Sequence, residues 1–169
     1  MRPHPDEYAQ SPYTSRYIDL VTEADPIAVL EQKALWQLLH SLSEAQSEYR
    51  YAEGKWSIKQ LVGHMTDTER IFAYRALCMA RGEKQPLPGF DENSYVDNGF
   101  FEQRTLDSLL TEYKAVREAS LVLFRSLDAS VLSHMGTASG NPLSVRALLY
   151  MIAGHEKHHI HILQERYLN

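Results

Sequence analysis

The sequence predicts an all-α protein, a four-helix bundle with long crossover connections, and three observations lead there. Apolar residues recur at three- and four-residue spacing in four separate segments. Each segment opens on a residue type that caps helices: Asp25, Ser57, Thr105 and Ser144. Between them no stretch alternates as a strand of any length should. Amphipathic helices of this kind bury their stripes against one another, and four of them make a bundle.

Residues 1–24 hold Pro3, Pro5 and Pro12 and lack periodicity, so they predict an extended N-terminal arm, with residues 25–169 forming the bundle domain. The first helix starts at Asp25-Pro26, a cap followed by proline at the first helical position. It continues through Ile27, Leu30, Ala34, Leu38 and Leu42. Ser57 and Gln60 stand in capping-box spacing, and the second helix runs from them to Arg81, with Gly82 as its stop. Residues 83–104 form a connection longer than most, which points to a lid or pocket wall as readily as to a plain crossover. Asp91, Glu92 and Tyr95 are the groups there that a pocket would use, and a short helical turn fits Asp91 to Tyr95. Thr105 caps the third helix, whose core face runs from Leu106 to Phe124 and carries no histidine. Residues 128–144 form a loop with room for a short strand pair around Thr137. Ser144 begins the fourth helix, which continues to the chain end.

Composition narrows the function classes. The chain has 169 residues, enough for one domain with a real core. A net charge of −5 gives no basic footprint for nucleic acid. The single cysteine, Cys78, excludes an internal disulfide framework and suits a reducing compartment. No apolar run reaches the roughly 20 residues of a membrane span, and the opening residues are not a secretory signal. The expectation is a cytoplasmic protein acting on a small molecule.

The chemistry concentrates in the last helix, where Gly154 to Arg166 contains four of the eight histidines. Projected at about 100° per residue, His159 falls inside the apolar stripe of Leu148, Ile152 and Leu163, with His155 beside it one turn earlier. His158 lies off the stripe and His161 faces water. Two imidazoles four apart on a buried face can converge on one point, and a divalent metal would satisfy both. H-x3-H alone also fits two core histidines hydrogen-bonded to neighbours. A third histidine shifts the balance: His64 lies at the edge of the buried stripe of helix two, making His64, His155 and His159 a reasonable tridentate set between facing helices.

The segments Trp56-Ser57-Ile58, Gly63-His64-Met65, Thr66-Asp67-Thr68-Glu69 and Gly154-His155-Glu156-Lys157-His158-His159 together resemble the DinB/YfiT superfamily over roughly residues 27–169. The resemblance implies a four-helix bundle with a crossed connection, a homodimer, and a divalent metal held by the matching His64, His155 and His159. It also implies an enzyme, since members include thiol-dependent S-transferases and isomerases as well as metal-dependent hydrolases. Three imidazoles leaving an open position is a catalytic ligand count, and Zn2+ or Ni2+ suits them. The favoured reaction is transfer of a low-molecular-weight thiol cosubstrate to an electrophile, with hydrolysis by activated water as the alternative. Glu69, turned inward one turn beyond His64, is the candidate catalytic carboxylate, with Asp67 second. A non-catalytic metal-binding bundle is the reading from a different class.

Overall fold

Side-chain caps set where the long helices begin. In the computed structural model, which describes residues 2–168, Ser57 Oγ accepts from the Gln60 amide at 3.2 Å and Gln60 Oε1 accepts from the Ser57 amide at 3.0 Å. Thr105 and Ser144 accept in the same way from the amides of Ser108 and Ala147. With α1 spanning Pro12–Asp19, α2 Pro26–Glu31, α3 Ala34–Leu39 and α4 Glu44–Ser47, the long helix after the Ser57 cap is α5, Ile58–Ala80. It is followed by α6, Glu92–Asn98, then α7, Leu106–Ser126, and α8, Val145–Ile162, which ends in a π-helical turn at Leu163–Tyr167. Helix α5 packs along both α7 and α8, while α2 and α3 together occupy the fourth position.

Two expectations need correction. Residues 1–24 are not extended throughout, because Pro12 sits at the first helical position of α1, where a missing amide costs nothing. Tyr17 and Ile18 then bury against α8, and that contact stabilises a helix of eight residues, too short to persist alone. The first long helix is also broken. Lys33 takes left-handed backbone (φ 50°) between α2 and α3. The break lets one segment serve two cores: Val29 and Leu30 join the cluster around Phe72 and Leu148, whereas Leu35 and Leu39 join that around Leu61 and Tyr113.

The strand pair near Thr137 exists. Strands β1, Met135–Ala138, and β2, Asn141–Ser144, pair antiparallel, with Ala138 opposite Asn141. Between them Ser139 (φ 50°) and Gly140 (φ 77°) make the two-residue turn that demands positive φ at both positions. The long connection clips onto this hairpin. The Leu87 amide donates to Thr137 O at 2.9 Å, and the Ser139 amide donates to Leu87 O at 3.1 Å.

Three glycines, two of them helical, bring neighbours unusually close. A Cβ built on Gly154 would lie 1.9 Å from the Tyr17 carbonyl oxygen, so α1 rests on bare helix backbone. A Cβ on Gly63 would meet the Phe101 ring at 2.4 Å, and one on Gly99 would meet the other side of that ring equally closely. Each helical glycine immediately precedes a histidine of the predicted set. No helix among the described residues is long and apolar enough to cross a membrane.

Candidate metal centre

Helices α5 and α8 carry His64, His155 and His159 to one point. His155 Nε2 lies 3.1 Å from His64 Nε2 and 3.1 Å from His159 Nε2, and the three nitrogens fall within 4.8 Å of one another. All three side chains are buried. Their ring centroids are 4.4, 5.0 and 5.1 Å apart, with the planes steeply inclined. Trp56 covers His64 at 4.7 Å, and Tyr17 meets His155 edge-on at 5.2 Å.

The arrangement is awkward for protons and suited to a cation. One nitrogen carries either one proton or one lone pair, so His155 Nε2 cannot form two good hydrogen bonds to its two neighbours. Burial pushes the His64 pKa down to about 4, with the His158 charge adding a little. Burial, and then the neighbouring imidazoles, push His155 and His159 well below their ordinary value. The neutral ring is the ligand form of histidine. Metal–nitrogen bonds of about 2.0–2.1 Å in tetrahedral geometry place ligand nitrogens about 3.3 Å apart, close to the separations seen here. The donor set therefore fits a divalent ion with a position left over. His159 Nδ1 is buried with no hydrogen-bond partner among the described residues.

These depressed pKa values have a consequence with a definite sign. Between the ordinary 6.5 and the lower folded values, the unfolded chain binds more protons than the folded one. Stability of the metal-free protein should therefore be full above pH 6.5 and fall as the pH drops toward 4. Urea midpoints at several pH values check this. A midpoint that stayed level from pH 7 to 4.5 would mean that the rings are not held neutral by burial.

The remaining histidines also stand where the helix projection put them. His158 is half-buried and meets the Arg16 guanidinium at 3.3 Å, and His161 is exposed and pairs with Glu165. The carboxylates have other partners. Both oxygens of Glu69 accept from Arg117, at 2.8–3.2 Å. Asp67 pairs with Arg70 on the outer side of α5. On the long connection Asp91 caps α6, Tyr95 packs against Phe90, and Glu92 and Asn93 line two different cavities.

A buried ionic cluster adjoins the histidines. Arg117, 1% exposed, donates to Glu69, to Glu156 Oε2 at 3.0 Å and to the Leu30 carbonyl, while the Tyr113 hydroxyl donates to Glu156 Oε1. Burial acts to lower the Arg117 pKa, but the charges of Glu69 and Glu156 outweigh it and raise the value. Burial raises the Tyr113 pKa well above its ordinary range, with the Glu156 charge next in weight. Glu69, Arg117, Glu156 and His155 face one small cavity of about 10 Å3, room for about one water centre. The helix pattern carried a signal for this cluster, since Arg117 falls on the core stripe between Tyr113 and Leu121.

Two larger cavities flank the centre. One of about 250 Å3 is lined by His159 with Trp56, Leu61, Asn93 and Tyr167. The other, about 300 Å3, lies beyond Phe72 and Tyr13. Phe72 meets His155 at 6.1 Å, and Tyr13 meets Tyr17 at 4.9 Å.

Comparison with known proteins bears on the fold and the family. OB0413 of Oceanobacillus iheyensis, a protein provisionally named a metal-dependent hydrolase, is 26% identical over 131 residues, covering 75% of this chain and 73% of that protein. Among solved structures, YfiT from Bacillus subtilis, described as a probable metal-dependent hydrolase with an unusual four-helix bundle topology, superposes with a TM-score of 0.72. At 16% identity that match covers 96% of this chain and 95% of YfiT. A mycothiol-dependent maleylpyruvate isomerase superposes with a TM-score of 0.62, also at 16% identity, over 90% of this chain and 61% of that one. At such identities the two structures speak for the fold. The sequence model of the DinB superfamily matches residues 28–163, most of the chain and all three histidines. The chain belongs to the DinB superfamily.

Proposed function

We propose that this protein is a divalent-metal-dependent enzyme in which His64, His155 and His159 hold the ion through their Nε2 atoms and a nucleophile activated there attacks an electrophilic small molecule. The convergence of three buried, neutral imidazole nitrogens is the observation that carries the reading. When bound, Zn2+ or Ni2+ would lower the pKa of water or a thiol at its open position. The chain's own residues do the rest. Trp56 and Tyr17 pack over two of the rings and keep bulk water from them. The cavity beside His159 gives a reactant access from one side. Glu69, fully engaged by Arg117, serves in this reading to hold α5, α7 and α8 in register and leaves proton transfer to other groups.

Thiol S-transfer is the preferred version. Two cavities, one against His159 and one beyond Phe72, suit a reaction that joins two molecules, a low-molecular-weight thiol and an electrophile. Hydrolysis is the second version, favoured by the descriptions of OB0413 and YfiT. A homodimer belongs to the same proposal, supported by the exposed Tyr74 and Val122 on α5 and α7. So does a cytoplasmic setting, supported by the single cysteine.

The discriminating assay uses metal-loaded protein with a model electrophile and a model ester, each with and without added thiol. Thiol-dependent consumption of the electrophile, absent with His64→Ala, is expected. Turnover of the ester at the same rate without thiol would discard the transferase version in favour of hydrolysis.

A further inference from the structure

Two arginines are buried among the described residues, and one of them, Arg117, pairs with two carboxylates there. Arg75 on α5 is 6% exposed and has no carboxylate partner among the described residues. One of its terminal nitrogens donates to Pro88 O at 2.7 Å and to Ser139 Oγ at 3.0 Å. Otherwise its guanidinium lies near the Phe72 and Phe90 rings, with centroids at 5.9 and 5.8 Å. An arginine stays charged at every physiological pH, and a buried charge without a counter-charge is costly. A ligand anion would offset that cost.

The place for such a ligand is the cavity of about 300 Å3 that Arg75 lines. Phe72, Phe90, Leu143 and Met151 give it apolar walls. Ser139, which already accepts from Arg75, keeps its hydroxyl proton free for a second acceptor. Glu92 also lines the cavity but is exposed and forms no ion pair with Arg75. The position relative to the histidines follows from helix geometry. Arg75 stands eleven residues after His64, about three turns and about 16 Å along the same face of α5. Phe72 bridges the gap, lining the cavity and meeting the His155 ring.

We propose that this cavity binds a small molecule carrying a carboxylate on an apolar body, with the carboxylate on Arg75 and the body directed along α5 toward the histidines. Its identification as the electrophilic substrate rests on the function proposed above, whereas binding of the anion does not. With both hydrogens of the nitrogen that meets Pro88 and Ser139 engaged, the other guanidinium N–H groups and the Ser139 hydroxyl are left to donate charge-assisted and neutral hydrogen bonds to a carboxylate, and the aromatic walls favour hexanoate over inorganic phosphate.

The test is calorimetric titration of the zinc-loaded full chain with hexanoate, hexanamide and inorganic phosphate at constant ionic strength. Hexanoate should bind at least about tenfold more tightly than hexanamide, and Arg75→Met should erase the difference. Equal binding of the two in the wild type would overturn the proposal, and tighter binding of phosphate would overturn the choice of a carboxylate on an apolar body. Arg75→Lys keeps the charge and loses the guanidinium N–H groups left for the carboxylate, so it serves if Arg75→Met does not fold; unchanged hexanoate affinity in Arg75→Lys would count against the site. Because a carboxylate can also bind a metal ion, the titration is repeated on His64→Ala. A preference that persists there places the anion at Arg75, and one that disappears refutes that placement. Metal content of the wild-type samples separates the two ideas: hexanoate preference in wild type that takes up no zinc would sink the metalloenzyme reading and leave this site standing.

Discussion

Substituting His155 with alanine should empty the centre of metal. Its Nε2 is the atom that both other histidines approach, at 3.1 Å each, so its loss leaves two nitrogens and opens the remaining shell to water. Elemental analysis of untagged wild-type protein should find about one zinc or nickel per chain. The His155→Ala variant should fall to background, and so should His64→Ala and His159→Ala. His158→Ala should keep its metal, because that ring turns toward Arg16. Catalysis should drop by at least about a hundredfold in the three ligand variants, beyond the range seen when only a ligand's supporting partner is lost. Metal-free wild type, even after zinc and nickel were supplied, would return the three histidines to the core and make the non-catalytic bundle the better account.

Arg117→Met should produce the largest loss of stability available from a single side chain outside that centre. The guanidinium pairs with both Glu69 and Glu156, which are 4% and 3% exposed, and its removal leaves two carboxylates buried without a counter-charge. Breaking such a cluster costs about 3–5 kcal/mol. Urea denaturation of metal-free protein reads it, keeping metal affinity out of the comparison. Replacing Glu69 and Glu156 with glutamine in the Arg117→Met background should restore a good part of the loss, since the penalty comes from stranded charge. A cost below about 1 kcal/mol for Arg117→Met alone would mean that the carboxylates stay neutral or hydrated there, and that the cluster does not hold the helices.

The contrast between what the residues announced and what they concealed follows the physics of each signal. Ser57, Thr105 and Ser144 announced helix starts because a cap is a local bond between a side chain and an amide three residues on. The histidine set was legible because helical periodicity alone decides which rings share a buried face. Helix α1 was not, since Pro12 and the prolines before it read as extended chain, and eight residues make a stable helix only against the α8 surface. The break at Lys33 was hidden because Leu30 and Leu35 serve different clusters, a division that exists only once α7 and α8 are in place. Arg117 and Arg75 are a harder lesson. Both lie on inward faces, but whether a buried guanidinium meets a carboxylate depends on residues 39 to 48 positions away, as with Glu156 and Glu69, or on none at all.

The seat of Tyr17 on Gly154 bears on where the working unit begins. The family match opens at residue 28, and a fragment cut there would look like a complete bundle. It would lack the backbone carbonyl that fills the notch on α8 and the Tyr17 ring that meets His155. Residue 154 has, in effect, borrowed its side chain from a segment more than a hundred residues earlier. Trimming that segment would act on the centre as a large-to-small substitution does on a core, leaving a hole one residue from His155.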